Sequence, residues 1–320
     1  MVKDDLIKFS LHYFLDDNSH SMDARVRNQC EAHFLTLAYE AIEILGFDLQ
    51  IEAEASSEGG VKDWWKVFGD NSAQIAIVIS TLALIYSVVP KEDKELVELQ
   101  KQDLMLSIQQ RKLALAAIKK DAANKVITQT SIESAVLLIN QSNKALVAKS
   151  NFFKKLVGYN KVTQLGVAAA NDKGEIVLPE KVITKDSFPK YVLKTQKLKP
   201  VIDDEAVITV AAPGILEGYQ SWKGIYKDQS FTFKMNDVDF QDDVIAKKYR
   251  FASGDAICCE FYTHKKLDQA GEIVTTGHSV EVVLDYLEGD VVTQTHQGRA
   301  YRLTKKQRDN QHELFSEVDL

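Results

Sequence analysis

The chain contains an uncharged block of twenty residues, 71–90, bounded by Asp70 and Lys91. A membrane-spanning helix needs about 20 apolar residues, so the block is long enough to span a bilayer and short enough to be buried in a globular core. Three arrangements stay open: a buried core helix, a membrane segment, or a helix that copies of the chain shield from water.

Small residues recur along one side of this block when it is placed on a helix. They are Ser72, Ala76, Ser80, Ala83 and Ser87. Repeated small side chains at this spacing allow two helices to approach closely and associate in membranes. The sequence therefore predicts a helix-association face, with larger aliphatic side chains on the opposite side.

Charge and glycine divide the chain into three predicted parts. The net charge of −7 is the sum of −10 over residues 1–100, +7 over 101–160 and −4 over the remainder. Eleven of the fifteen glycines lie from Gly158 onward, and none lies between Asp70 and Val157. Because glycine punctuates strands and turns, we predict an α+β protein. Its parts are 1–69 (a small α/β unit), 70–160 (helical, with an apolar helix over 71–90 and amphipathic helices over 91–157) and 161–320 (β-rich, with a polar C-terminal tail).

The first part has the pattern of a β-α-β unit. Residues 6–14 are apolar and aromatic, residues 22–45 have helical apolar spacing closed by Gly46, and residues 47–55 alternate apolar with acidic side chains. If the two strands are parallel, the C-terminal end of the second returns to the start of the helix. His20, Asp23, Glu52 and Glu54 then converge, as metal ligands or as a general acid–base group.

The alternative for these four residues is a solvated surface without a function. The sequence has none of the spaced motifs of zincins, P-loops or dinucleotide-binding folds, so no cofactor is predicted.

The helical part carries a cluster of lysines near its end. They are Lys144, Lys149, Lys154 and Lys155. A basic amphipathic helix binds anionic lipid or nucleic acid, whereas an ordinary solvated face, or a face packed on the acidic first part, needs no such ligand. The acidic total argues against a dedicated duplex-DNA binder, which needs a broad basic surface.

Short apolar runs separated by turn residues follow in the last part. Candidate strands are 207–211, 222–226, 231–235, 256–263 and 278–284. Strands of this length and spacing predict an antiparallel barrel or sandwich.

Three segments carry a resemblance to known sequences: NSHSMDA (18–24), EGGVKDWW (58–65) and WKGIY…FTFKMNDVDF…FASGD (222–255). Together they are similar to a family of uncharacterised bacterial proteins. The resemblance implies a bacterial source and a genome-defence setting, and it carries over no catalytic residue.

The leading functional hypothesis is a non-enzymatic interaction or effector protein that oligomerises or attaches to a membrane through the 71–90 helix, with the β-rich part as a binding or sensing domain. The expected partners are a second copy of the chain, another protein or a membrane. The N-terminus lacks the pattern of a secretory signal, so we expect a cytoplasmic protein, either free or associated with the inner face of the membrane. Two alternatives remain, a metal-dependent hydrolase or nuclease at the β-α-β unit, and a nucleic-acid adaptor using the basic 101–160 helices.

Overall fold

The computed structural model describes residues 7–17, 21–54, 61–87, 108–214 and 221–316. The chain forms two compact units. Unit 1 comprises Met1–Gln196 and Leu267–Glu272, and unit 2 comprises Lys197–Lys266 and Ile273–Leu320. Each unit contains one β-sheet and helices, which confirms the predicted α+β class.

Unit 1 contains five strands, five α-helices and one 3₁₀ helix among the described residues. In chain order they are β1 (Lys8–Leu15), α1 (Ala24–Leu45), β2 (Gln50–Glu54), β3 (Val61–Phe68), α2 (Ser72–Ser87), α3 (Ile108–Ala123), α4 (Gln129–Asn140), α5 (Asn143–Val157), β4 (Val162–Ala170), β5 (Ile176–Thr184) and the 3₁₀ helix (Lys185–Tyr191).

The strands of unit 1 form one sheet in the order β2-β3-β1-β4-β5. β1 and β2 both pair antiparallel with β3, so they run parallel to each other, as the sequence predicts, but β3 lies between them. β4 pairs with β1 and β5 pairs with β4. The predicted boundaries at 69/70 and 160/161 therefore differ from the division in the structure, because both fall inside unit 1.

α1 ends at Gly46, as the sequence predicts, and its N-cap is Asp23. The Asp23 carboxylate accepts hydrogen bonds from the backbone N–H of Arg25 (2.8 Å) and Val26 (3.1 Å), and Gly46 ends the helix in the left-handed region with φ 62°. The buried face of α1 packs on the sheet, where Phe34 stacks on Phe9 with ring centroids 5.1 Å apart.

The predicted long apolar helix over 71–90 is not confirmed at that length. α2 has 16 residues, Ser72–Ser87, and residues 88–90 lie outside the described ranges. It packs against α1, α3, α4 and the strands β1, β4 and β5. Consecutive residues Ile77, Val78 and Ile79 are all fully buried, so α2 is enclosed on all sides, as expected of a helix at the centre of a core.

Unit 2 contains six strands and two helices among the described residues. They are β6 (Val201–Ala212), β7 (Ser221–Tyr226), β8 (Gln229–Met235), α6 (Val238–Ile245), β9 (Ala256–Leu267), β10 (Ile273–Glu288), β11 (Val291–Gln294) and α7 (His296–Ser316). The sheet runs β11-β10-β8-β7-β6-β9, and a further pairing of β9 with β10 closes five strands into a barrel. The predicted strands and a barrel are confirmed, but the barrel is not wholly antiparallel, because β8 and β10 pair in parallel. α7 occupies most of the predicted polar tail.

Candidate functional site

The structure separates the residues of the predicted N-terminal site. Asp23 caps α1 on the helix-covered side of the sheet. Glu54 lies opposite Trp64 in the register, while the neighbouring Trp65 packs on Phe34 of α1 at 4.3 Å. Since successive side chains of a strand point to opposite faces, Glu54 and Glu52 lie on the face away from α1. The sheet therefore stands between Asp23 and the two glutamates, and His20 lies outside the described residues.

Lysines of β1 and β3 surround the two glutamates. Lys8 Nζ lies 2.8 Å from Glu54 Oε1, and Lys66 occupies the position opposite Glu52. Within the described ranges, no group of three or more His, Cys, Asp or Glu is arranged to hold a metal ion. Glu54 is therefore ion-paired on the surface of the sheet, while Lys66 pairs with Asp172 at 2.7 Å.

The predicted association face lies largely inside unit 1. Ala76 is fully buried and Ser80 nearly so, while Ser72 and Ala83 are half-buried. The side chain of Ser87 lies outside what the structure describes. No helix in the described ranges is long and apolar enough to cross a membrane.

The predicted basic surface on α5 is broken up by contacts within unit 1. Lys144 Nζ pairs with Glu40 Oε2 at 3.0 Å, and Lys149 is buried with its ammonium 5.1 Å from the centre of the Tyr191 ring. Lys155 is half-buried, which leaves Lys154 as the exposed member of the four. These contacts match the packed-face alternative better than a continuous anion-binding surface.

The barrel of unit 2 has a specific topology. Around the closed ring the order is β6-β7-β8-β10-β9, α6 connects β8 to β9, and β8 and β10 pair in parallel. Numbered within the barrel, this is the order 1-2-3-5-4 with a helix between strands 3 and 4, which is the topology of the OB fold. Barrels of this type bind oligonucleotides and oligosaccharides on the face of strands 2 and 3.

Strands 2 and 3 of this barrel are β7 and β8, and their outward side chains are exposed and free of carboxylates. We call this surface the β7–β8 face; it comprises Lys223, Ile225, Ser230, Thr232 and Lys234. The alternating exposure along both strands separates it from the inward side chains, which include Trp222 and Phe233. Neither β7 nor β8 contains Asp or Glu.

The two lysines of the β7–β8 face are neighbours. Lys223 pairs with Thr232, and Ser221 pairs with Lys234, so the lysines are diagonal neighbours on one side of the sheet. At this spacing Cα atoms are roughly 7–8 Å apart, close enough for like charges to repel. Neither ammonium group has an ion-pair partner among the described residues. A bound anion would relieve this repulsion.

The inside of the barrel is filled by its own side chains. Trp222 and Met235 are fully buried, and Phe233 and Phe261 nearly so. Small barrels of this kind have no room for a ligand in the interior, so recognition takes place on the outer surface or at an end.

Aromatic side chains gather at the end of the barrel near the β7–β8 turn. The His278 ring stacks on Phe261 with centroids 5.3 Å apart and meets Phe231 at 5.1 Å, while Tyr226 lies 5.0 Å from Phe261. Burial, followed by the nearby His264, lowers the pKa of His278. An uncharged imidazole in an aromatic cluster contributes packing rather than an anion site.

No family model matches the chain, and comparisons with curated proteins and with solved structures return no match. The topology of the barrel and the chemistry of its surface therefore have to indicate the function. Sequence reasoning located β7 and β8 but missed this surface. The sequence does contain a signal for this surface, because Lys223 and Lys234 alternate with the apolar residues of their strands.

Proposed function

We propose that unit 2 binds single-stranded nucleic acid on the β7–β8 face. The observation that carries the proposal is the pair of exposed lysines, Lys223 and Lys234, on strands 2 and 3 of an OB-type barrel without a carboxylate on either strand. Ammonium groups bind phosphates, while the hydroxyls of Ser230 and Thr232 add hydrogen-bond donors beside them.

The charge balance favours a single strand over a duplex. Unit 2 has 15 basic and 19 acidic residues, so its net charge is 15 − 19 = −4. A duplex requires a broad basic surface, whereas one strand can follow a narrow local one. The face carries no aromatic side chain for base stacking, so we expect binding that depends on charge and tolerates different sequences.

Binding of a fluorescently labelled oligonucleotide, measured by anisotropy over a range of salt concentrations, tests the proposal. The logarithm of the binding constant falls with the logarithm of salt concentration by about 0.7 per neutralised phosphate. Lys223→Ala and Lys234→Ala should each lower the magnitude of that slope by about 0.7. Lys306→Ala is the matched control, because Lys306 is exposed on α7 and also has no ion-pair partner among the described residues.

Two results would contradict the proposal. One is the absence of binding to single-stranded DNA and RNA at low salt. The other is a slope that the two variants leave unchanged, or that Lys306→Ala lowers equally. Binding of an uncharged oligosaccharide in place of the oligonucleotide would assign the face to a different ligand class.

The other functional hypotheses stay predictions. Association or membrane attachment through the 71–90 helix requires α2 to leave the core of unit 1. Nucleic-acid binding by the helical segment would rest mainly on Lys154, and hydrolysis at the N-terminal site requires residues that lie on opposite sides of the sheet.

A further inference from the structure

Several buried polar atoms of unit 1 have no hydrogen-bond partner among the described residues, and three of them belong to Tyr13, Tyr86 and Asp63. These three are the hydroxyl oxygens of Tyr13 and Tyr86 and Oδ2 of Asp63. All three side chains are at least nine-tenths buried. An unpaired buried polar group is destabilising, so three in one neighbourhood call for a common explanation.

The three groups lie in one neighbourhood between the sheet and the helices. Leu11 pairs with Asp63 and Tyr13 with Val61, so Tyr13 and Asp63 are diagonal neighbours on the helix-covered face. Tyr86 enters the same layer from the last turn of α2. Burial raises the pKa of Tyr13 well above its usual value, and nearby Cys30, Asp63 and Tyr86 raise that pKa further.

Charge restricts what can occupy this place. Arg27 donates from Nε to Asp63 Oδ1 at 3.0 Å and also from Nη2, so the carboxylate is already neutralised. A charged ligand would leave a net charge in the core, which is strongly destabilising. The occupant must be neutral, donate to Oδ2 of Asp63 and bond with the tyrosine hydroxyls. Water has this combination of donors and acceptors and the smallest size.

We infer that Tyr13, Tyr86 and Asp63 enclose a buried site for ordered water in the core of unit 1. Water there supplies hydrogen-bond partners that these orphan atoms lack. It also explains why a core rich in aromatic rings contains tyrosine at positions 13 and 86, where phenylalanine would pack in nearly the same volume.

Thermal unfolding of Tyr→Phe variants tests this inference. If water bridges the groups, Tyr13→Phe and Tyr86→Phe each remove a satisfied hydrogen bond, and the Tm of unit 1 falls by about 2–4 °C. If the site is dry, each variant removes an unpaired hydroxyl, and the Tm stays the same or rises. Tyr39→Phe is the control, since Tyr39 is 46% exposed and its hydroxyl makes only a 3.4 Å bond to Ile51 O.

A high-resolution crystal structure supplies the second measurement. The expected result is a density peak within hydrogen-bond distance of a tyrosine hydroxyl and of Asp63 Oδ2, which disappears or moves in Tyr13→Phe. Continuous side-chain packing without such a peak, a peak larger than water, or an unchanged or raised Tm in both variants would overturn the inference.

Discussion

At the scale of single residues, His278 gives the barrel a defined response to pH. Its ring lies between Phe231 and Phe261, and its Nδ1 lies 3.3 Å from Thr263 Oγ1. Because burial and His264 lower its pKa in the folded state, the unfolded chain takes up the proton more readily. The stability from neutral His278 is therefore fully present above about pH 6.5 and is lost as the pH falls below that value.

We predict that the free energy of unfolding of unit 2 decreases from about pH 7 to pH 5 and that His278→Gln makes this decrease smaller. Chemical denaturation at a series of pH values measures it. His296→Gln, at an exposed histidine of α7, should leave the pH dependence as in the wild type. An NMR titration midpoint for His278 at or above about 6.5 would contradict the argument.

Among the helices, α2 lies within the uncharged block of the sequence, and its surroundings in the fold distinguish the arrangements that the sequence allows. A buried core helix was one of three arrangements that the uncharged block allowed, and the structure has that arrangement. The choice depends on what surrounds the block: α1, α3, α4 and strands far away in the chain. Composition within the block cannot distinguish a protein core from a lipid surface, because both are apolar.

Two leucine substitutions on the predicted association face test the role of α2. Ala76 is fully buried and Ala83 only partly so. If α2 is a core helix, Ala76→Leu should lower the free energy of unfolding of unit 1 by about 1–3 kcal/mol through overpacking, and Ala83→Leu should cost less. Denaturant unfolding measures both.

Sedimentation of the same two variants addresses the association hypothesis. If small residues of α2 join copies of the chain, the wild type should sediment as an oligomer. Ala76→Leu and Ala83→Leu should then both sediment as smaller species. A wild type that sediments as a monomer would remove the self-association form of the hypothesis.

Local sequence patterns predicted the helix whose end is marked by a glycine and the strands that lie between turn residues. α1 follows from the helical apolar spacing of residues 22–45 and from Gly46, and the barrel strands follow from apolar runs between turn residues. β4 was not predicted, because both of its faces are covered and its sequence, VTQLGVAAA, has no alternation. β5 contains Pro179. Proline is tolerated at the edge of a sheet, but in the sequence it makes this segment resemble a linker.

The candidate site was less accessible to sequence reasoning than the fold. Asp23 does not meet Glu52 and Glu54, because the two glutamates lie on the face of the sheet away from α1. The insertion of β3 between β1 and β2 depends on pairings that a local pattern does not contain. The β7–β8 face becomes a site only when the barrel closes, since closure determines which side of each strand is exposed.

At the scale of the whole molecule, unit 1 depends on a segment distant in sequence. Leu267–Glu272 belongs to it, and Leu267 is fully buried. Gly271 has φ 86°, and a Cβ there would lie 2.5 Å from Lys144 Cα. Because Lys144 Cα is a main-chain atom, a side chain at position 271 must displace the backbone.

We predict that Gly271→Ala lowers the free energy of unfolding of unit 1 by on the order of 2–4 kcal/mol, from strain and steric clash together. Gly174→Ala is the matched control: Gly174 has φ 79° with nothing within 4 Å of an added Cβ, so it isolates the strain. Calorimetry of both variants measures the difference. Equal losses would show that the contact at Lys144 contributes nothing.

The discontinuity of unit 1 also sets the order of events during synthesis. After Gln196 leaves the peptidyl-transferase centre, 76 further residues, 197 to 272, must be added before unit 1 has all of its segments. At about 5–20 residues per second, this takes roughly 4–15 s. During that interval the nascent chain holds an incomplete N-terminal core, with the apolar α2 in it, while the barrel strands β6 to β9 are still emerging. We therefore expect chaperone dependence and aggregation during expression to be determined during these seconds of synthesis rather than after the chain is released.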